Sequence, residues 1–441
     1  MVNWHNWGRS EQTEFEQLHQ PGTIAEVQEL VQRSLQSGRK IRPIGASHSF
    51  SGIGMPIDQQ VDLSRLRGLL AVDREHRQVT FAAGTHLYEI PALLQPLGLA
   101  MENLGDIDSQ TIAGAISTGT HGTGTAFGGL ATQVRALKMV DGRGHIILLS
   151  PELTPDIWAG SVIGLGALGI IVEVTLQCVL AFDLIATEQR LDLSAAVERV
   201  IDVTMPQEQF EFYWFTGTTS AASKLNRRVS AQRFDRPESA PSAPNRSALR
   251  AWFDDEFMAN GVFQATSALG TVIPQITPTV NDIAVKSMAN NTFRAASHEV
   301  LVRPRRVRFR EMEYAFDLAL IPQVFHELQR LIERKRWNFS FPVEVRSAAA
   351  DELWLSTAYQ RATGYVAVHR FWREDPSEYF SSVEALAKDY GGRPHWGKMH
   401  YRDAESLATT YPQFTDFLQL RAQADPDRIF VNTYLNRVLG V

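Results

Sequence analysis

A chain of 441 residues, 44% of them hydrophobic, is long enough to bury a substantial core in two or three domains. The formal net charge of -6 and the pI near 6.1 exclude the strongly basic surface that binding to a nucleic-acid backbone requires. We therefore expect small-molecule partners and no nucleic acid.

The first predicted elements form two small α/β units. Thr23 and Glu26 make a capping-box pair, and apolar residues then recur at helical spacing up to Gly38, which predicts a helix. A glycine-rich turn follows residues 40–44. Further along, residues 78–83 predict a strand, and a second helix near residues 86–95 ends at Gly98.

The middle of the chain is dominated by small and polar residues. Residues 102–129 are rich in Gly, Thr, Ser and Ala, which predicts an ordered ligand-binding loop with short helical pieces. Residues 217–247 are rich in Ser, Ala, Arg, Asn and Pro, which predicts a long surface loop. Between these two loops the pattern predicts three strands, at residues 134–140, 146–149 and 170–176.

The C-terminal half alternates strands with a helix. Four segments are typical of strands, at residues 302–307, 311–316, 341–345 and 365–371, and residues 321–335 predict a helix. The apolar residues 430–441 are expected to dock on the fold. The order of elements predicts an α+β protein.

The single cysteine and the lengths of the apolar segments indicate the cellular compartment in which we expect the protein. Cys178 cannot form a disulfide within the chain, which fits a reducing compartment, and its strand-like surroundings predict a small core residue. Residues 1–10 contain no apolar signal segment, and no run of eighteen apolar residues occurs. We expect a cytoplasmic protein without a membrane span.

One segment has the letters of a nucleotide-binding motif without the structural context that the motif requires. Residues 164–169 read Gly-Leu-Gly-Ala-Leu-Gly, but the dinucleotide fingerprint requires a helix after its glycines. The β-branched, alternating residues 170–176 predict a strand there instead. A nicotinamide site is therefore disfavoured.

Two other glycine-rich segments point to a bound phosphate group. Residues 42–50 read Arg-Pro-Ile-Gly-Ala-Ser-His-Ser-Phe, and a turn of this kind offers N–H groups and hydroxyls to a pyrophosphate. Residues 114–124 carry small side chains that let the backbone approach a ligand and hydroxyls that bond to it. Without further context, a hydrogen-bonded loop histidine is the simpler interpretation of His48.

These segments, with residues 102–114 between them, resemble the FAD-binding domain of the vanillyl-alcohol oxidase (PCMH-type) flavoprotein family. Glu344-Val-Arg346 and residues 393–398, Arg-Pro-His-Trp-Gly-Lys, resemble its aldonolactone oxidase and alditol oxidase branch. The resemblance implies FAD attached covalently through His48. It also implies a set of cofactor-binding residues: Arg42, Pro43, Gly45, Ala46, Ser47, His48, Ser49, Gly105, Thr111, Gly114, Thr118, Gly119, Thr120, His121, Ile171 and His395.

The C-terminal motifs supply the candidate catalytic residues Glu344, Arg346 and Lys398. Glu344 and Arg346 are two residues apart on a predicted strand, so both side chains can reach one ligand, although a structural ion pair is the alternative. Arg346 and Lys398 are candidates to stabilise charge on the reduced flavin, and Glu344 is a candidate to orient the substrate and to act as a general base. We expect Asp106 and His369 to complete the substrate site; alditol oxidases carry a serine where this chain has Asp106.

Two further interpretations concern the surroundings of the flavin. His395 and His400 lack a third metal ligand at a recognisable spacing, so no metal is expected. Gly105 falls where related sugar-lactone enzymes place a small residue that controls access of O2; the alternative is a turn glycine that needs a positive φ.

The resulting hypothesis is a two-domain flavoprotein that oxidises a sugar-1,4-lactone by hydride transfer to flavin N5. Its FAD-binding domain, of two α/β subdomains, spans residues 1–177; an α+β cap or substrate domain spans 178–400; and 401–441 return to the FAD domain. Expected partners are a lactone or polyol and O2 or another electron acceptor. The alternatives are an alditol oxidase, a nicotinamide-dependent dehydrogenase and a catalytically silent FAD-binding scaffold.

Overall fold

The computed structural model describes residues 1–229, 277–287, 290–303 and 307–440. Strands and helices are numbered over these residues. The strands of the first part are β1 (Val2–His5), β2 (Gln12–Phe15), β3 (Gln17–His19), β4 (Ile41–Ile44), β5 (Gln59–Asp62), β6 (Leu69–Asp73), β7 (Gln78–Ala82), β8 (Leu99–Ala100), β9 (Val134–Asp141), β10 (Ile146–Leu149), β11 (Gly169–Gln177) and β12 (Val179–Leu180). Its helices are α1 (Ile24–Ser37), α2 (Ile90–Leu94), α3 (Ile112–Ser117) and α4 (Pro155–Ser161).

The second part is built around longer strands. These are β13 (Asp183–Asp192), β14 (Glu208–Trp214), β15 (Ser220–Val229), β16 (Asn291–Ala296), β17 (Phe309–Asp317), β18 (Val343–Ala348), β19 (Thr363–Phe371) and β20 (Arg393–Pro394). The helices are α5 (Leu193–Val200), α6 (Thr277–Ser287), α7 (Ser297–Leu301), α8 (Ile321–Lys335), α9 (Ser377–Asp389), α10 (Ala404–Ala408), α11 (Phe414–Ala424) and α12 (Thr433–Leu439). The mixed helix and sheet content confirms the α+β prediction.

Helix α1 begins and ends as its sequence predicts. The Thr23 hydroxyl accepts a hydrogen bond from the Glu26 N–H at 3.2 Å, and the Glu26 carboxylate accepts one from the Gly22 N–H. At the other end, Gly38 takes a left-handed φ of 68°, which closes the helix. The apolar face of α1 is buried, so local capping and burial agree.

Two sheets organise the N-terminal part. Strands β3, β5 and β4 form a parallel sheet in that order, and β10, β9, β11, β7 and β6 form an antiparallel one. Strand β11 begins at Gly169, directly after the glycine-rich residues 164–168. A strand and not a helix follows those glycines, which confirms the rejection of the dinucleotide fingerprint.

An eight-stranded antiparallel sheet, in the order β16-β13-β15-β14-β18-β19-β17-β20, dominates the second part. Strand β15 lies inside it, paired along its length with β13 and β14. The predicted surface loop at residues 217–247 is therefore wrong for residues 220–229, and residues 230–247 lie outside the described residues. Small side chains such as Ala221 and Ser223 are buried there between neighbouring strands, so their low hydrophobicity does not signal a loop.

Two other element predictions differ from the structure. Residues 302–303 and 307 belong to no strand, and residues 304–306 lie outside the described part of the chain. The helix predicted near residues 86–95 begins only at Ile90, because the His86 N–H bonds to the Glu89 side chain in a preceding turn. It does end at Gly98, which has a φ of 68°.

One hydrophobic core joins the N-terminal part of the chain with the C-terminal helices. Leu407, Phe417 and Leu435 of the C-terminal helices pack in the same core as β4, β7 and β11. Leu353 and Trp396, which the prediction assigned to the cap segment 178–400, join this core as well. A second core packs α5, α8 and α9 against one face of the eight-stranded sheet. Among the described helices, none combines the length and the apolar character needed to cross a bilayer.

Candidate active site

Two adjoining cavities lie where the N-terminal sheets meet the eight-stranded sheet. The first, of about 890 Å³, is lined by β4 and the turn after it, by α3 and by residues 165–171. The second, of about 670 Å³, is lined by β17, β18 and β19 and by loops around Asp106, Thr120 and Lys398. His48 and Ser49 line both cavities, so one elongated ligand can extend through them.

The turn after β4 is tightly packed. A Cβ on Gly45 would lie 2.3 Å from the Thr111 hydroxyl, so this position has no room for a side chain. Ser47 takes a left-handed φ of 55°, and its hydroxyl accepts a hydrogen bond from the Trp4 indole at 2.9 Å. The close approach of two chain segments leaves small residues and backbone along the cavity wall, which fits a bound dinucleotide.

His48 projects from this turn and keeps one ring nitrogen without a partner among the described residues. Its Nε2 lies 2.7 Å from the Ser109 hydroxyl, and its ring stacks on Trp7 with centroids 5.3 Å apart. The buried Nδ1 has no hydrogen-bond partner. Burial, and secondarily the nearby Lys398 ammonium, lowers the pKa of His48 to about 4, so the ring is neutral at pH 7. A neutral imidazole with an unpartnered nitrogen fits covalent attachment to a flavin.

Arg42, predicted to bind the cofactor, lines the first cavity, but its guanidinium binds backbone carbonyls. It donates to the carbonyls of Ile53 at 2.6 Å, Gly166 at 2.7 Å and Phe430 at 3.1 Å, and also to that of Leu165. Burial lowers its pKa to about 9. Arg42 therefore holds residues 165–166 against the cavity, and the glycine-rich segment dismissed as a nicotinamide motif lines the candidate cofactor cavity after all.

The second cavity owes its polar lining to strand register. In the antiparallel ladders, Glu344 lies opposite Ala367, Ala367 opposite Glu313, and His369 opposite Glu311. Because directly paired residues share a face of the sheet, these side chains converge on one side. The register settles the direction of His369, which the sequence left open, and brings two unpredicted carboxylates into the site.

Arg346 is surrounded by three carboxylates. Its guanidinium contacts Glu344, lies 3.4 Å from Asp106 and places Nε 3.0 Å from Glu211. Burial acts to lower the pKa of Arg346, but Glu344, Asp106 and Glu211 outweigh it and hold the pKa well above its usual value. Glu344 and Arg346 therefore form the ion pair that the sequence analysis gave as the alternative. Both residues also line the cavity, so the ion pair does not exclude a role in binding.

Lys398 and Glu311 form a second buried ion pair. The Lys398 ammonium contacts one Glu311 oxygen. Burial acts to raise the pKa of Glu311, but Lys398 outweighs it and lowers the pKa to about 2. The other Glu311 oxygen lies 3.6 Å from His369 Nε2. Glu311 thereby connects Lys398 with His369.

A third cluster consists of His121, Glu313 and His395. His121 Nε2 lies 3.2 Å from Glu313, and its ring stacks on Tyr365 at 3.6 Å between centroids. One ligand atom from each of the three residues lies within 4.8 Å of the others, as a metal site requires. His395 Nδ1, however, accepts the Gly397 N–H at 3.0 Å, so its Nε2 carries the proton and cannot ligate. We therefore assign no metal to this cluster.

Most of the predicted site residues line one of the two cavities. Gly119 lines neither; its φ of 75° serves the turn that ends α3. Gly105 lines the second cavity without a positive φ, so the turn-glycine alternative is wrong. The sequence prediction missed five residues that line the second cavity and one that lies behind Arg346: Glu311, Glu313, Gln110, Phe309, Gly397 and Glu211. For Glu311 and Glu313, the alternation of polar and apolar residues along β17 is a signal in the sequence.

Comparison with known proteins identifies the family. Residues 174–438 match the family model described as D-arabinono-1,4-lactone oxidase, and residues 16–150 match an FAD-binding domain. The chain is 33% identical over 437 residues to an L-gulono-1,4-lactone dehydrogenase of Mycobacterium tuberculosis, covering 99% of both chains. It is 29% identical to the L-gulonolactone oxidase of Mus musculus, covering 99% of this chain and 98% of the mouse protein.

The fold has solved counterparts. A cholesterol oxidase from Brevibacterium sterolicum superposes with a TM-score of 0.77 at 17% identity, covering 99% of this chain and 96% of that one. At this identity the likeness extends to the fold alone. With the lactone oxidase match over most of the C-terminal half and the FAD-binding match before it, the chain belongs to the FAD-dependent aldonolactone oxidase family, whose fold is of the vanillyl-alcohol oxidase type.

Proposed function

We propose that this protein oxidises a carbinol group of a sugar-1,4-lactone, of the gulono-, galactono- or arabinono-lactone class, with FAD bound covalently through His48. The observation that carries the proposal is the second cavity, where carboxylates and Arg346 of the sheet lie with Lys398 beside His48. A hydrocarbon ligand would leave the polar groups of this cavity without hydrogen bonds, whereas a ligand with several hydroxyls can bond to them.

The pairing of charges favours a neutral substrate. Arg346 is engaged by Glu344, Asp106 and Glu211, and Lys398 by Glu311, so both cations that line this cavity among the described residues are paired with carboxylates. A carboxylate substrate would compete with those pairs, whereas hydroxyls bond to them without displacing charge. A lactone or a polyol meets this condition.

The protein residues bind and orient, while bound FAD supplies the two-electron acceptor. Glu344 accepts hydrogen bonds from substrate hydroxyls and fixes the reacting carbon. Arg346 and Lys398 present fixed positive charge in a buried site, where it stabilises developing negative charge more strongly than it would in water. His48 tethers the cofactor from the junction of the two cavities.

The test is anaerobic bleaching of the flavin by a panel of aldonolactones and alditols. Reduction by a 1,4-lactone at low concentration, with alditols slower by at least about tenfold in kcat/KM, supports the proposal. Preference for an alditol makes the protein a polyol oxidase instead. Hydrogen peroxide release in air then tells whether O2 or another molecule accepts the electrons.

A further inference from the structure

Oxidation of a carbinol releases a hydroxyl proton, and the cavity must contain an atom that takes it. The carboxylates are poorly suited because cations hold them in the ionised form. Lys398 outweighs burial to lower the pKa of Glu311 to about 2, and Glu344 contacts Arg346. A carboxylate in such a pair has little affinity for a further proton.

Of the described residues, four histidines line the cavity, and three of them have no ring nitrogen available to take a proton. His395 Nδ1 accepts the Gly397 N–H, so its Nε2 already carries a proton. His121 faces the Gly122 carbonyl at 2.9 Å through Nδ1 and the Glu313 carboxylate at 3.2 Å through Nε2. His48 is the attachment residue of the proposed function.

His369 is the fourth, and its geometry differs. Its Nδ1 lies 2.9 Å from the Pro342 carbonyl, which can only accept, so Nδ1 carries the proton. Its Nε2 then bears a lone pair, and the 3.6 Å to Glu311 is longer than a hydrogen bond. The ring lines the cavity between Phe309, at 5.2 Å, and Phe341, at 6.3 Å.

We propose that His369 is the catalytic base, a role that rests on the proposed function, in which Glu344 keeps its orienting role. The substrate O–H bond breaks, its proton goes to His369 Nε2, and the O–H electron pair forms the carbonyl π bond. The C–H electron pair would leave as hydride, for which bound oxidised FAD would supply the two-electron acceptor. Glu311 stabilises the resulting imidazolium, and Lys398 positions Glu311.

The experiment uses flavin-loaded full-length protein and the lactone that reduces the wild type fastest. His369→Asn keeps an amide donor for the Pro342 carbonyl but lacks a basic nitrogen. We expect the anaerobic rate of flavin reduction to fall by at least about a hundredfold. The dissociation constant of a deoxy-lactone lacking the reacting hydroxyl, measured by calorimetry, should change less than about threefold. His326→Asn, the same change on the exposed face of α8, should leave both values unaltered.

Rescue separates a base from a merely structural residue. In His369→Ala, added imidazole should restore reduction in proportion to its concentration. In Glu311→Gln, the imidazolium loses the carboxylate that stabilises it, so the rate of flavin reduction should fall by at least about tenfold while the affinity for the deoxy-lactone changes less than about threefold. This second variant tests the role even where His369→Asn does not fold.

Two results overturn the assignment. One is a His369→Asn protein that is reduced within about threefold of the wild-type rate; the other is a loss of rate matched by an equal loss of deoxy-lactone affinity, which makes His369 a binding residue only. A wild-type flavin that no lactone or polyol reduces is a distinct outcome, because it refutes the proposed function itself.

Discussion

At the scale of single residues, His48 joins the two cavities and carries the first prediction. Covalent attachment predicts that FAD stays with the chain after acid precipitation, since every other contact is lost with the fold. His48→Ala should release the flavin into the supernatant, while His5→Ala, at an exposed position, should retain it. Fluorescence of the pellet and the supernatant measures both. If wild-type protein also releases all its flavin, the attachment is noncovalent.

Gly105 carries a prediction about oxygen. A methyl group at this position would lie 3.1 Å from the His121 carbonyl and 3.2 Å from the Thr120 methyl, closer than ordinary contact, on the wall of the second cavity. We expect Gly105→Ala to narrow the approach of O2 and to slow reoxidation by at least about tenfold, or about 1.4 kcal/mol. An artificial acceptor at the exposed flavin edge should be little affected.

Stopped-flow reoxidation of pre-reduced protein distinguishes the outcomes for Gly105. A wild-type protein that already reacts slowly with O2 contradicts an open route and makes the protein a dehydrogenase. Equal slowing with O2 and with the artificial acceptor indicates instead that the added methyl group displaced residues 120–121.

At the scale of elements, the N-cap residue of helix α12 connects this helix to the cofactor-binding part. Buried Asn432 caps the helix by accepting the Leu435 N–H, and its amide donates to the carbonyls of Gly52, Ile53 and Met55. Asn432→Ala should lower the free energy of unfolding by about 3 kcal/mol, because the carbonyls lose their donor together with the cap.

Asp403 provides the matched control. It caps α10 in the same way, through the Ser406 N–H, but it is exposed. Asp403→Ala should cost about 1 kcal/mol, the usual effect of a lost cap. Urea unfolding of both variants tests the comparison, and equal losses would show that the three carbonyl bonds of Asn432 contribute nothing.

Some elements were predictable because local and global signals agree in them. Helix α1 combines a cap, a terminal glycine and one apolar face, and α8 has the bounds that its periodicity predicts. Strand β15 was missed because its buried face is made of Ala and Ser, which only its pairing with β13 and β14 explains. Pairing partners far apart in sequence leave no local signal.

The same limit applies to the site. Glu344 and Lys398 were found through short motifs, whereas Glu311 and Glu313 alternate with the core residues Met312 and Tyr314. Such alternation is typical of a strand with one face in water. Here the polar face lines a cavity instead, and only the sheet order that places β17 beside β19 reveals it.

At the scale of the whole molecule, buried neutral histidines make stability depend on pH. Burial lowers the pKa of His395 to about 3 and that of His400 well below its usual value, against 6.5 for an exposed ring. Between those values and pH 6.5 the unfolded chain binds protons that the folded chain does not, so stability falls as the pH drops through this window. Their contribution is fully present above pH 6.5.

Glu311 extends the effect to lower pH. Lys398 outweighs burial to lower its pKa to about 2, so its stabilising charge is lost between pH 4.5 and 2. We expect melting temperatures that are level near pH 7 to 8 and decline from about pH 6.5 downward. His395→Gln should make the decline shallower. A profile that is flat from pH 8 to 4.5 contradicts neutral burial of these rings.

The hydrogen bonds of the Arg42 guanidinium also determine when the cofactor cavity can form during synthesis of the chain. One guanidinium binds carbonyls near residues 53, 165 and 430, so this part of the cofactor cavity is complete only when residues from both ends of the chain are present. A ribosome that has reached the end of β11 has made every strand of the sheet containing β4 but not Phe430. The part of the cofactor cavity that Arg42 shapes therefore forms only after Phe430 has been synthesised.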